Sequence, residues 1–311
     1  MKLSVITLIC DGYEHLIDKW VKNAREAILI DKEIIIVDNT TAQSVPKIDG
    51  VKVVKAGHNA MQFAGRRMGV EASTGDYIFL VDADDDILPI THFEWDEEMI
   101  CFNYMAKFAD DNQEYICGEP YRIAYTASKT ATFFDTCWKD ACKNMVWNKF
   151  YKRDLLMRVC SHLPYIEICF MEDVLLNLLV LAEVTSIRFE NKSFYRYYFG
   201  TGISTKKKYT DLAPLVRIFS GIETALTVFN LAFDEKAQEQ SGITTVGFYK
   251  GCMLYALQKI ETVDDCILPM YMQLIKSMFK KELLLKSLEK NSKTFSRKAY
   301  LRAKHAINDN F

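Results

Sequence analysis

The sequence predicts an α/β protein, and three observations carry that expectation. Over residues 3–81, short apolar runs rich in β-branched residues alternate with segments of helical period. Each run ends in a polar cluster. From about Asp211 onward helical periodicity alone governs the chain, which places a boundary near residue 208 between an α/β domain (1–208) and a helical, basic region (209–311).

The elements follow in order. Residues 3–9 form a nearly continuous apolar run, as expected of a strand buried on both faces of a parallel sheet. Residues 14–30 carry Leu16, Trp20, Ala24 and Ala27 or Ile28 on one side of a helix. Residues 33–37 and 51–54 read as strands, 60–72 as a helix, and 77–81 as a fourth strand. Beyond it, 94–112 has helical spacing, and 115–134 reads as extended segments broken by Gly118 and Pro120. Residues 154–160 and 174–182 read as helices, and 184–189 and 194–198 as strands.

Composition excludes several classes. The 311 residues carry 39 Lys and Arg against 41 Asp and Glu, a net charge of -2, which argues against a dedicated nucleic-acid binder. Only 6 Pro and 13 Gly rule out collagen-like and low-complexity architectures, and no repeat of fixed period is present. Nine cysteines, an odd number with no CxxC pair, read as free thiols in a reducing, cytoplasmic compartment. Asp11-Gly12 interrupts the apolar start, so it reads as a strand and not a signal peptide. No stretch reaches the ~20 apolar residues that span a bilayer, so any membrane association is expected to be peripheral, at the inner face of the cell membrane.

In a parallel α/β sheet, ligands bind beyond the carboxyl ends of the strands. Asp11, Asp38 with Asn39, and the Asp82 cluster each follow a strand directly and are expected to converge there. The densest signal is the segment 77–89, where an apolar strand delivers Asp82, Asp84, Asp85 and Asp86 within five residues. Carboxylates this close repel one another, and a divalent cation sharing phosphate oxygens with a nucleotide relieves the repulsion.

From these residues outward the chain resembles the family 2 inverting glycosyltransferases of the GT-A fold. Asp82-Ala83-Asp84 is similar to the family's DxD motif. Leu3-Ser4-Val5-Ile6, Ile35-Ile36-Val37-Asp38, the segment from Asn59 through Arg66 to Gly69, and Gly75-Asp76-Tyr77-Ile78 match its earlier blocks in order. Trp147-Asn148-Lys149-Phe150-Tyr151-Lys152-Arg153, Glu172-Asp173, and Phe194-Tyr195-Arg196-Tyr197-Tyr198 with Gly202-Ile203-Ser204 match its later ones. The resemblance implies a Mn²⁺ or Mg²⁺ on Asp84 and Asp82, nucleotide contacts from Asp38, Asn39, Arg66 and Asp82, and Asp173 as the catalytic base. Trp147, Glu172, Arg196 and Ser204 are implied near the acceptor or a lid, with Lys149 and Arg153 flanking a strand-to-helix turn. The sequence departs from the family at Leu8-Ile9-Cys10-Asp11, at Asp38-Asn39-Thr40-Thr41, and at Met61, where the family has Gly.

The expected activity is therefore transfer of a sugar, with inversion, from a nucleoside diphosphate sugar to a hydroxyl of a glycan or lipid-linked glycan. By resemblance UDP is the default nucleotide and bacterial surface polysaccharide the setting. A metal-dependent nucleotidyl or phosphoryl transferase and a non-catalytic nucleotide-sugar-binding protein are the alternatives that the same acidic cluster allows. The C-terminal region adds an independent signal: residues 276–304 hold ten Lys and Arg against Glu282 and Glu289, with interleaved apolar residues. Such a segment suits either an anionic membrane surface or a solvated face of packed helices.

Overall fold

The computed structural model describes residues 1–92, 94–108, 114–117, 124–126, 145–163, 165–169, 172–199, 209–232 and 245–310. The chain forms two compact units, the first holding described residues 1–199 and Ala232, and the second 209–231 and 245–310.

The first unit is a mixed sheet flanked by helices. β1 (Leu3–Ile9) pairs in parallel with β2 (Lys32–Asp38) on one side and β4 (Tyr77–Leu80) on the other, and β2 pairs in parallel with β3 (Val51–Lys55). Direction then changes. β9 (Lys149–Lys152) lies antiparallel between β4 and β6 (Met99–Phe108), and β10 (Ser186–Phe199) runs parallel to β6. β5 (Asp86–Ile87) closes the path antiparallel to β10, while β7 (Glu114–Cys117) and β8 (Ala124–Thr126) pair with β6 and β10.

Local sequence explains most of these elements. β1 sits centrally, so Leu3, Val5, Ile6 and Ile9 are buried although they alternate between its faces. α1 (Ile17–Ala27) buries Ile17, Trp20, Val21, Ala24 and Ala27, the single stripe its spacing predicts. α2 (Met61–Ala72) packs across β1, and Gly69 makes the close approach feasible, since a Cβ there would run into the Ile6 side chain.

The segment 94–112 is a correction. Instead of a helix, Met99–Phe108 is β6, an interior strand of the sheet. Its apolar residues at 99–102 fit either period, and pairing with β9 and β10 on its two sides decides the outcome. Residues 109–112 lie outside the described ones. The two strands expected at 184–198 are likewise one, β10, with irregular register between Glu190 and Tyr195.

At the amino ends of the strands Glu33 ties three segments together. Its carboxylate accepts hydrogen bonds from the Ser4 hydroxyl, from Thr74 N (2.5 Å) and Oγ1 (2.9 Å), and from Gly75 N (2.9 Å), with Lys2 Nζ at 3.3 Å. A Cβ on Gly75 would lie 2.8 Å from Lys2 O and Ser4 N, so the Gly75-Asp76 turn into β4 has no room for a side chain. Burial works against the Glu33 charge, but the bonds from Ser4, Thr74 and Lys2 pull its pKa down from 4.5 to about 2. A depressed folded pKa contributes stability that is present above pH 4.5 and lost as pH falls toward 2. Glu33→Gln is therefore expected to lose about 2 kcal/mol at pH 7, with a gap to the parent chain that closes in acid, as urea unfolding at several pH values will show.

The second unit is helical in its described residues: α5 (Ala213–Ala232), α6 (Thr245–Lys259), α7 (Leu268–Met278), α8 (Lys281–Lys290) and α9 (Arg297–Asn310). Its buried residues include Phe219, Tyr271, Ile275, Leu284, Leu288 and Ile307, with the Phe219 and Tyr271 rings edge to face at 5.6 Å. No helix among the described residues is long and apolar enough to cross a membrane.

Candidate active site

The carboxyl ends of β1, β2 and β4 bring the acidic segments together. Val81 N still bonds Ile6 O at 2.9 Å, so Asp82 is the first residue free of the β1–β4 ladder. There the four aspartates divide by role. Asp85 is buried, accepting from the Tyr195 hydroxyl at 2.6 Å and from Tyr198 N at 2.9 Å, and burial together with the Asp82 charge pushes its pKa up to about 8. Asp86 accepts from the Tyr198 hydroxyl and pairs with Lys19 at 3.0 Å and Arg196 at 3.5 Å. These two fasten the turn to β10 and α1.

Asp82 and Asp84 remain for ligand chemistry. The Asp82 side chain is 38% exposed. Burial and the neighbouring Asp82 charge raise the Asp84 pKa. Tyr13, after β1, belongs to the same pocket of charge: burial and then Asp84, Cys10 and Asp82 hold its hydroxyl proton on.

Arg66, on α2, organises the rest. Its guanidinium is 8% exposed and meets Asp82 at 3.2 Å and Glu172 at 3.4 Å, and it donates a short bond to Asp173. Glu172 and Asp173 open α4 (Glu172–Glu183), where acidic side chains suit the positive end of the helix. Burial opposes the Arg66 charge, yet Asp173, Asp82 and Glu172 together raise its pKa. Burial and the adjacent Asp173 lift Glu172 to about 8. Burial also raises Asp173, against the opposing pull of Arg66. One cation thus joins the acidic turn after β4 to the carboxylate pair that opens α4.

Asp38 and Asn39 lie at the end of β2 as expected, but both are turned into the protein. Asp38 has no exposed surface: Thr40 N (3.2 Å), Thr40 Oγ1 (2.6 Å), Val45 N (3.0 Å) and Lys55 Nζ (2.6 Å) take up its two oxygens. The Asp38 carboxylate therefore shapes the 40–45 loop. Asn39, equally buried, accepts from Ala60 N at 2.8 Å and donates toward Asn59, Met61 O and Cys10 Sγ. These bonds secure the turn in which Met61 adopts φ 61°, the left-handed conformation that explains why glycine is the usual residue at this position of the resembled family.

The later motif blocks divide between core and site. Trp147 is 5% exposed and stacks on Tyr195 (4.4 Å) and Tyr197 (5.1 Å), both nearly parallel to it, with Tyr104 edge-on. No broad face is left for a sugar, so Trp147 is a core residue and its expected acceptor contact is withdrawn. Lys149 is fully buried, bonding Asn148 Oδ1 at 2.7 Å and Met145 O, and its charge helps hold Asp173 ionised. Arg153 begins α3 (Arg153–Ser161) and binds Ser73 O at 2.9 Å, so neither flanking cation stands at an open acceptor surface. Arg196 pairs with Glu114 at 2.9 Å as well as Asp86 and fastens β7 to the acidic turn. Ser204 lies outside the described residues.

Sequence reasoning missed Lys55 and Tyr13 as parts of this region, and it placed Lys149 near the acceptor where the structure buries it beside Asp173. Lys55 was accessible in principle, because it is the register partner of Asp38 across β2 and β3. For a divalent cation, the donor set is the test. Among the described residues no group of three or more His, Cys, Asp or Glu side chains forms a cage. Two neighbouring hard carboxylates, Asp84 and the Arg66-paired Asp82, suit an ion that takes its remaining ligands from diphosphate and water.

The sheet and its flanking helices are those of the GT-A fold. Residues 4–157, just under half of the chain, match the family model of glycosyl transferase family 2, so this stretch is similar to that family. The chain is also 25% identical over 171 residues to EpsH of Bacillus subtilis (strain 168), a protein named as a glycosyltransferase. That alignment takes in 50% of this chain and 49% of EpsH, so the chain spans about half the length of this curated relative. Among solved structures, S. aureus TarS 1–349 in complex with UDP aligns over 100% of this chain and 89% of its own, with TM-score 0.58 and 13% identity. Its complex with UDP-GlcNAc gives TM-score 0.57 and 15% identity over the same shares. At such identity the likeness is one of fold.

Proposed function

We propose that this chain is a glycosyltransferase that moves a sugar, with inversion, from a UDP-sugar to a hydroxyl of a glycan or lipid-linked glycan. The observation that carries the reading is the Arg66 junction, which holds Asp173 within one side chain of the Asp82–Asp84 turn. The fold likeness to TarS, a protein seen with UDP and with UDP-GlcNAc, supports the choice of donor.

In this reading Asp84 and Asp82 hold Mn²⁺ or Mg²⁺. When bound, such an ion acts as a Lewis acid on the diphosphate and stabilises the charge of the departing nucleotide. Asp173 accepts the proton of the acceptor hydroxyl while that oxygen bonds to the anomeric carbon; the bond from that carbon to the β-phosphate oxygen breaks, and the nucleoside diphosphate leaves with the electron pair. Arg66 keeps Asp173 ionised and oriented, with Lys149 as a second positive charge. Asp38 and Asn39 set the walls of the base pocket through the 40–45 loop and the Met61 turn.

Thermal shift with UDP-, GDP- and dTDP-sugars, with and without Mn²⁺, tests donor choice, since a bound donor raises Tm. Asp84→Ala is expected to lower Mn²⁺-dependent donor affinity roughly 100-fold while the donor-free Tm stays near that of the parent chain. Product analysis completes the test. A nucleoside diphosphate product supports sugar transfer, whereas pyrophosphate would make the chain a nucleotidyl transferase.

A further inference from the structure

The second unit carries a cationic corner that its own fold does not explain. Lys280, Lys286, Lys290, Lys293, Arg297 and Lys298 are all exposed. Lys286 and Lys290 lie one turn apart on α8, Lys293 sits in the single 3-10 turn that follows, and Arg297 and Lys298 open α9. Among the described residues none of the six has a carboxylate within ion-pair distance; nearby Arg302, by contrast, is held by Asp265 at 2.7 Å.

The cations at the two helix starts also run against helix electrostatics, whereas Lys290, in the last turn of α8, does not. Lys280 and Lys281 stand at the start of α8, where no side chain caps the helix and Glu282 is the one acidic residue of the first turn, and the first turn of α9 contains no acidic residue beside Arg297 and Lys298. The amino end of a helix is positive, so cations there destabilise it. Two apolar side chains share the corner: Leu283, 38% exposed, precedes Lys286 by one turn, and Leu301, 54% exposed, follows Arg297 by one turn.

We propose that the α8–α9 corner docks on a bilayer surface rich in anionic lipid headgroups. Clustered lysine and arginine next to a membrane are drawn to the negative surface potential, and apolar side chains among them enter the boundary between headgroups and acyl chains. The two leucines favour a bilayer over a soluble polyanion, which offers them no apolar phase. The inference is independent of the reading of the active site, and its test uses no turnover.

The full chain is co-sedimented with vesicles of phosphatidylcholine alone, or with about a third phosphatidylglycerol, at low and high salt; polyphosphate is the soluble competitor arm. Binding is expected on the anionic vesicles only and is expected to weaken as salt screens the charges. Each charge contributes about five-fold, so the double variant Arg297→Glu, Lys298→Glu should bind at least 25-fold more weakly. Because glutamate suits a helix start, its Tm should hold or rise, which separates lost binding from lost folding. If that Tm falls instead, Lys286→Gln with Lys290→Gln decides, and parent-like binding by it overturns the proposal. Leu301→Ser should weaken vesicle binding and leave any polyphosphate binding unchanged. Equal binding to neutral and anionic vesicles, or binding to polyphosphate with none to vesicles, overturns the proposal.

Discussion

Asp173→Asn is expected to abolish turnover, by about 10³-fold or more in kcat, with donor affinity within a few-fold of the parent chain. The amide preserves shape at the start of α4 and retains a hydrogen-bonding group for Arg66, but it accepts no proton from the acceptor. Steady-state kinetics paired with donor titration by calorimetry will separate the two effects. Parallel losses of donor affinity and rate would assign Asp173 to donor binding and leave the base elsewhere.

Arg66→Met is expected to have the largest effect on stability. It leaves Asp82, Glu172 and Asp173 clustered without their shared cation, and breaking a buried ion pair from one side destabilises by about 3–5 kcal/mol. The deficit should depend on pH in a direction fixed by linkage. Without the guanidinium, the folded state holds Glu172 and Asp173 protonated to higher pH than the unfolded chain does. A folded pKa raised above the unfolded value means the penalty is absent in acid, below pH about 4, and grows as pH rises through the folded pKa. Urea unfolding at pH 5 and pH 8 should therefore show a larger deficit at pH 8. An equal deficit at both would point to lost packing, not to exposed charge.

Much of this region was legible from residue order, for definable reasons. β1, β2 and β4 are apolar runs closed by polar residues, and the parallel α/β rule then places Asp11, Asp38 and Asp82 at one edge. Glu172-Asp173 before an apolar helix reads as a helix start whatever its chemistry. What stayed hidden depends on partners remote in sequence. The Arg66 junction forms only because α2 and the start of α4, more than a hundred residues apart, meet in space. Asp38 turns inward because Lys55, the Thr40 hydroxyl and the backbone of the 40–45 loop offer it four donors. Trp147 is claimed by Tyr195 and Tyr197 of a strand nearly fifty residues later. β6 is a strand because of its neighbours, a fact that no period within residues 99–108 contains.

The antiparallel position of β9 between β4 and β6 bears on how the chain is made. When β4 has left the ribosome, one edge is paired with β1, while its other edge waits for a strand that begins 69 residues later, between Leu80 and Lys149. At ~5–20 residues per second that interval lasts roughly 3–14 s. Throughout it the Tyr77-Ile78-Phe79-Leu80 edge presents unpaired backbone groups and buried-type side chains to whatever is nearby. The strand that delivers the acidic turn is thus a segment on which the growing chain can stick to other chains until residues 149–152 emerge.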